Sequence, residues 1–192
     1  AGGFVGSAIV TAARDRGFDV LPLGRGEVDL LADGAGDTLR GLLKPGDAVV
    51  FVSALAPCKD YVMFEQNIRM AKNALDGLAG QPLSQLLYVS SAAVYSDFDG
   101  PLTEASVTAP DNLHGQMHAA REIMFAAALA ESNPDTVFAS LRPTLIYGAG
   151  DPHNGYGPNR YRRLVLAGEN IVLFGNGEER RDHVSVLDVA GL

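Results

Sequence analysis

The sequence predicts a doubly wound α/β domain built on a mostly parallel sheet. Short apolar runs without polar alternation recur along the chain, the pattern of strands buried on both faces. Segments with helical apolar spacing separate them, and helices between parallel strands form crossovers that cover one sheet from both sides. A glycine turn followed by a helix opens the chain, as such domains open their ligand-binding edge.

Each element follows in order. Gly6–Arg16 reads as a helix and Phe18–Leu23 as an apolar strand. Thr38–Leu43 is a short helix stopped by Pro45-Gly46, and Asp47–Leu55 is a buried strand. Tyr61–Leu78 places Val62, Met63, Ile68, Ala71, Leu75 and Leu78 at helical spacing. Gln85–Ser91 is the next strand, Asn112–Ala130 a long helix, and Thr136–Pro143 a strand stopped by proline. A Gly-, Pro- and Asn-rich loop covers Gly148–Asn159. Then come a helix over Arg160–Ala167, a short strand over Ile171–Phe174, and a final strand that runs into the start of a helix. Ligands in this architecture bind beyond the carboxyl ends of strands, so the residues just after each strand are the informative ones.

Composition narrows the function. The chain has 192 residues, 47% hydrophobic and 20% charged, the balance of a packed domain. Its net charge of −8 argues against a nucleic-acid surface, which needs clustered Lys and Arg. The longest apolar run, Ile123–Ala130, is far short of the about 20 residues a membrane span needs. Cys58 is the one cysteine, so no intrachain disulfide forms and a cytoplasmic location is expected. Ala1 already lies inside the glycine turn and the last residues start a helix. The chain is therefore expected to continue in both directions, with the first strand and the C-terminal substrate region truncated.

Five post-strand segments stand in order: AGGFVGS, VVFVSALAP, LLYVSSAAVYSD, LRPTLIYGAGD and LFGNGEERRDHVSVLDVA. Together they resemble the extended short-chain dehydrogenase/reductase family, in its NAD(P)-dependent epimerase/dehydratase branch. The resemblance covers the whole chain and implies a Rossmann-type cofactor domain over residues 1–147. The start of a substrate-binding region would follow over 148–192. Gly3 and Gly6 match the second and third glycines of the family's turn, which makes Gly3, Phe4, Val5 and Gly6 cofactor-binding by resemblance. The same holds for Ala54, Leu55, Ala56, Ser90 and Pro143, while Ser91 falls on the catalytic Ser/Thr position. Asn67 matches an Asn common in the following helix, and Asp29 an Asp that contacts adenine. Ala92, Ala93, Asn154 and Arg181 are implied on the substrate side, Arg181 as holder of a nucleotide diphosphate.

The family's Tyr-x-x-x-Lys pair is absent: none of the six Tyr has Lys four residues later. At the expected place, 23 residues after Ser91, stands NLHGQMHAARE. His114 occupies the Tyr slot and His118 the Lys slot, one helical turn apart and so on one face. Three readings stay open. His114 is the general acid/base, assisted by Ser91, with His118 a shorter replacement for the ribose-binding Lys. Catalysis is lost and the domain is a nucleotide-binding sensor or scaffold. Or the two His ligate a metal with His153 or Asp151 as a third ligand, although no metal is the expected state.

The cofactor is NADP or NAD. Family spacing puts the acidic, ribose-binding position on Gly24, with Arg25 next; an Arg there suits the 2′-phosphate of NADP, while Glu27 could serve NAD. On the substrate side, Leu145 stands where sugar-nucleotide members carry Asn, and Ser185 where His is usual. Against these, the Arg180-Arg181 pair suits a diphosphate, or equally forms surface salt bridges with Glu178 and Glu179. The implied partner is a small molecule, a nucleotide sugar, with no nucleic acid and no membrane. The resemblance implies a homodimer through the helix carrying the Tyr/Lys slot; AAREIMFAAALA is apolar enough for that, and a buried core helix reads the same.

Overall fold

In the computed structural model, which describes residues 1–96, 100–154, 157–173, 175–178 and 180–192, helices and parallel strands alternate as the sequence predicts. In chain order they are α1 (Phe4–Asp15), α2 (Ala35–Arg40), β1 (Ala48–Phe51), α3 (Tyr61–Leu78) and β2 (Gln85–Val89). There follow α4 (Leu113–Ser132), β3 (Val137–Leu141), β4 (Leu145–Tyr147), α5 (Gly157–Ala167), β5 (His183–Ser185) and α6 (Val186–Gly191). The chain divides into two compact units, Leu23–Arg142 and Ala1–Pro22 with Pro143–Leu192.

The Leu23–Arg142 unit is two consecutive βαβ crossovers. β1, β2 and β3 lie side by side and parallel, with Phe51 opposite Tyr88 and Tyr88 opposite Ser140. α3 and α4 pack against each other, as crossovers of one hand on one sheet face must. Between helices and sheet lies a core that includes Phe51, Ala74, Leu78, Leu86, Tyr88 and Phe125. Each such large apolar side chain contributes roughly 1.5–3 kcal/mol on burial. Asp60 caps α3 by accepting from Met63 N at 2.8 Å. At the far end of α4, Asn133 accepts from Gly80 N at 3.1 Å and donates to Gln81 O, tying the helix to the α3–β2 turn.

In the other unit β4 pairs with β5 in parallel, and α1 packs on α6. Arg16, the C-cap of α1, donates to Gly191 O. Pro143 separates β3 from β4, so the predicted proline stop at the end of the Thr136–Pro143 strand coincides with the end of β3.

Two predicted strands are corrected. Phe18–Leu23 forms no strand, with Phe18 66% and Leu21 61% exposed. A strand exists through ladder bonds to a neighbour, and no described strand lies beside this segment; Val20 O instead accepts from the Arg14 side chain at 3.5 Å. Likewise Ile171–Leu173 forms no strand and is exposed, while Phe174 lies outside the described residues. The Asp47–Leu55 strand shortens to β1, because its second half turns into a loop held by side chains described below.

Candidate active site

β2 runs directly into Ser90-Ser91. Ser91 Oγ accepts from Ala93 N at 3.1 Å and starts a single 3-10 turn over Ala92–Val94. Its neighbour Ser90 is buried and donates to Glu122 Oε1 at 2.5 Å. Glu122 in turn receives a forked bond from Arg142 at 2.7–3.2 Å. Arg142 also donates to the Tyr95 hydroxyl at 2.8 Å. The carboxylate partner holds the Arg142 guanidinium above its usual pKa.

α4 brings the two histidines to this strand end. Asn112 caps it, accepting from Gly115 N at 2.9 Å. A Cβ on Gly115 would lie 2.0 Å from Ala93 O, so only glycine lets the first turn of α4 approach the 3-10 turn. Two further loop contacts converge there. His114 is half-buried, and its Nδ1 accepts from Cys58 N, after β1, at 3.4 Å. His118 is 5% exposed, with Nδ1 2.6 Å from the Tyr88 hydroxyl. The two imidazoles meet edge to face, centroids 4.7 Å apart.

Burial sets the charge of this group. It lowers the pKa of His114. It pushes His118 down to about 3, helped by the charges of His114 and Arg121. It pushes Tyr88 up to about 12, and it raises the Cys58 thiol. All three rings are therefore neutral at pH 7, and His118 does not supply the positive charge of a lysine.

Arg121, one turn beyond His118, was not singled out by sequence reasoning. It is fully buried and donates to Asn67 O and Ser53 O at 2.6–2.9 Å, with its guanidinium over the Phe51 ring. Asn67, also fully buried, accepts from Leu55 N at 2.9 Å and donates to Leu55 O and Met63 O. These two side chains hold the loop through Ala54, Leu55 and Ala56. An arginine inside the apolar face of a predicted helix was the available signal for Arg121.

The remaining residues of this unit lie on its surface. Arg25 and Asp29 are exposed, and Asp29 accepts from Leu31 N at 3.0 Å. Glu27 Oε2 accepts from Gly24 N at 2.8 Å, so a carboxylate sits at the position where family spacing expects the acid.

The Ala1–Pro22/Pro143–Leu192 unit carries the other predicted residues. Gly3 is the extended N-cap of α1 and makes no side-chain cap bond. The first-turn N–H groups of Phe4, Val5 and Gly6 have no intrahelical partner. A Cβ on Gly6 would lie 2.8 Å from Ala1 O, so the turn closes only over glycine. Gly2, Gly3, Phe4 and Ser7 line one wall of a cavity of about 460 Å³ that Val186 and Leu187 of α6 face. Pro143 is half-buried. Asn154 Oδ1 accepts from Arg163 at 2.9 Å, while Arg163 also donates to His153 O and Asp151 O. Arg181 is exposed, and its carbonyl meets His183 Nδ1 at 3.1 Å. Tyr156 of the Gly-rich loop and Glu179 beside the Arg pair lie outside the described residues.

One unit thus gathers Ala54–Ala56, Ser90–Ala93, His114 and His118 at the carboxyl ends of β1 and β2. The other contains Gly3–Gly6, Pro143, Asn154 and Arg181. Among the described residues no three His, Cys, Asp or Glu come together as metal ligands. No described helix is long and apolar enough to cross a membrane.

Residues 1–192 match the family model described as NAD dependent epimerase/dehydratase family. Among solved structures, the chain is similar to a UDP-N-acetylglucosamine 4-epimerase from Bacillus cereus, with 25% identity, 98% of this chain covered and a TM-score of 0.85. It spans 66% of that protein's length. A UDP-glucuronic acid 4-epimerase mutant from Bacillus cereus, in complex with UDP-4-deoxy-4-fluoro-glucuronic acid and NAD, matches at 17% identity and TM-score 0.78, over 98% of this chain and 68% of the other. A GDP-L-fucose synthetase from Naegleria fowleri bound to NADP matches at 18% identity and TM-score 0.78, over 97% and 63%.

Proposed function

The chain belongs to the NAD dependent epimerase/dehydratase family, and from that premise we propose that it acts on a nucleotide sugar by reversible oxidation at a hydroxyl-bearing carbon. The observation that carries this reading is the junction at the start of α4. There His114 meets the loop after β1, and Gly115 lets the same turn reach the loop after β2.

The glycine turn fits a dinucleotide. It presents first-turn helix N–H groups with no side-chain cap, and the place of a Gly6 side chain is taken by backbone. Gly3, Phe4, Val5 and Gly6 would hold the pyrophosphate, the pinned Ala54–Ala56 loop would run beside the cofactor, and Pro143 would back the nicotinamide. When bound, the nicotinamide supplies the hydride acceptor and donor. Arg25 favours NADP, whereas Glu27 on Gly24 N–H would serve the ribose diol of NAD.

His114 handles the proton. A ring whose Nδ1 accepts a bond carries its proton on Nε2. For His114 to act as base, the substrate hydroxyl therefore replaces Cys58 N–H at Nδ1, where the present bond is a long 3.4 Å. Burial keeps the ring unprotonated at neutral pH, ready to accept the hydroxyl proton. Ser91, at the head of the 3-10 turn, orients that hydroxyl. Ala92 and Ala93 would line the sugar, with Asn154 and Arg181 toward the diphosphate.

The test is single-turnover absorbance of reduced nicotinamide, with the protein loaded with NADP or NAD and offered UDP- and GDP-sugars. A rise that His114→Phe abolishes supports the reading. A rise unchanged in His114→Phe sinks the role of His114. The competing reading, a non-catalytic nucleotide-binding module, is favoured by the loss of both Tyr and Lys from their slots. It predicts tight dinucleotide binding with no absorbance change for any sugar.

A further inference from the structure

The cluster under α4 contains a device that the reading above does not use. Tyr88 rises from β2 into the core, completely buried, and its ring lies 28° from coplanar with His118. Its hydroxyl is 2.6 Å from His118 Nδ1, and the positive charge of the buried Arg121 acts on the same phenol. A tyrosine hydroxyl has one proton to give. A cation beside the phenol favours turning its oxygen lone pairs toward the guanidinium and its proton away, and the acceptor within reach of that proton among the described residues is His118 Nδ1.

We infer that Tyr88 is a positioning residue that fixes the tautomer of His118, so that the lysine slot holds a neutral Nε2–H donor instead of a cation. The inference rests on the proposed role of α4 in proton handling and explains why both slots changed together. A phenol has an ordinary pKa of about 10 and needs a neighbouring cation to bring it toward neutrality. An imidazole starts at about 6.5. A cation four residues away on the same face would push it further down and leave it a poor base. A neutral His118 removes that penalty from His114 while keeping a hydrogen-bond donor in the slot. The charged and titratable groups around the pair are consistent with this. Tyr88 comes from β2, Cys58 from the loop after β1, and Arg121 from α4 itself; among the described residues none forms a carboxylate partner that would stabilise an imidazolium at His118.

The test is spectroscopic and independent of turnover. The full chain is labelled with ¹⁵N-histidine, and long-range ¹H–¹⁵N correlations are recorded at pH 7 for the wild type and for Tyr88→Phe. The wild type is expected to show a single His118 tautomer, protonated on Nε2 and bare on Nδ1. Tyr88→Phe is expected to lose that single state and show tautomer exchange. A wild-type His118 protonated on Nδ1 or on both nitrogens overturns the inference, as does an unchanged single Nε2–H tautomer in Tyr88→Phe. If Tyr88→Phe does not fold, the wild-type hydroxyl proton decides: a Tyr88 resonance correlated to His118 Nδ1 supports the inference, and its absence overturns it. Failure of the catalytic reading stays separate. A protein with the expected tautomer and no hydride transfer for any sugar refutes the enzyme and leaves Tyr88 in its role. Hydride transfer with the opposite tautomer does the reverse.

Discussion

Burial decides what the two histidines on α4 can do, and that has a consequence for stability. His118 has an ordinary value of about 6.5 and about 3 in the fold. Between those limits the unfolded chain binds a proton that the native protein does not. Its contribution is full above the ordinary value and is lost as pH falls toward about 3. His114, lowered by the same cause, acts in the same direction. The denaturant midpoint is therefore expected to fall from pH 7.5 to about pH 5, with a slope of up to ~1.4 kcal/mol per pH unit for one such group. His118→Asn should flatten that slope; an unchanged slope would mean that His118 is not buried neutral. A second residue-scale outcome concerns the slot itself. His118→Lys restores a cation beside His114, so the acidic limb of the hydride-transfer pH profile should move to lower pH.

At the scale of elements, the site depends on how closely α4 and the loop after β1 are held. Gly115→Ala gains up to ~1 kcal/mol of helix propensity but drives a Cβ into Ala93 O. Overpacking of this kind costs about 1–3 kcal/mol, so thermal unfolding should shift down and dinucleotide-dependent activity should fall with it. An unshifted midpoint would mean that the 3-10 turn yields freely. Asn67 holds the neighbouring loop by two bonds to Leu55, with a third to Met63 O inside α3. In Asn67→Leu, amides of 53–58 should lose hydrogen-exchange protection ahead of β2, because buried backbone groups are left unpaired. Uniform loss across β2 as well would mean global destabilisation.

For the whole molecule, each unit has its own packing. The Leu23–Arg142 unit has a sheet, two crossover helices and an apolar core. The other joins α1 to α6 and β4 to β5. Dinucleotide binding should stabilise the folded chain by mass action, about 2.7 kcal/mol at a hundredfold excess over Kd. A melting midpoint that rises with NADP or NAD, and fails to rise in Gly6→Val, is the expected result. No rise with either dinucleotide would remove the cofactor reading altogether.

The order of elements was legible in the sequence because local signals set it. α3 has the bounds its apolar spacing predicts, Asn112 caps α4 where the polar run ends, and Pro143 closes β3. The residue types in the Tyr and Lys slots were also plain, as was the glycine turn. The sequence could not decide whether Phe18–Leu23 pairs, since apolar content is a preference and a ladder requires a neighbour. Nor could it decide the charge of His118, which depends on Tyr88, thirty residues earlier on β2, and on Arg121 buried without a carboxylate partner among the described residues. Composition and spacing name the groups along the chain. Their protonation and hydrogen-bond partners follow from which distant groups share one dry interior, and only the tertiary structure brings those together.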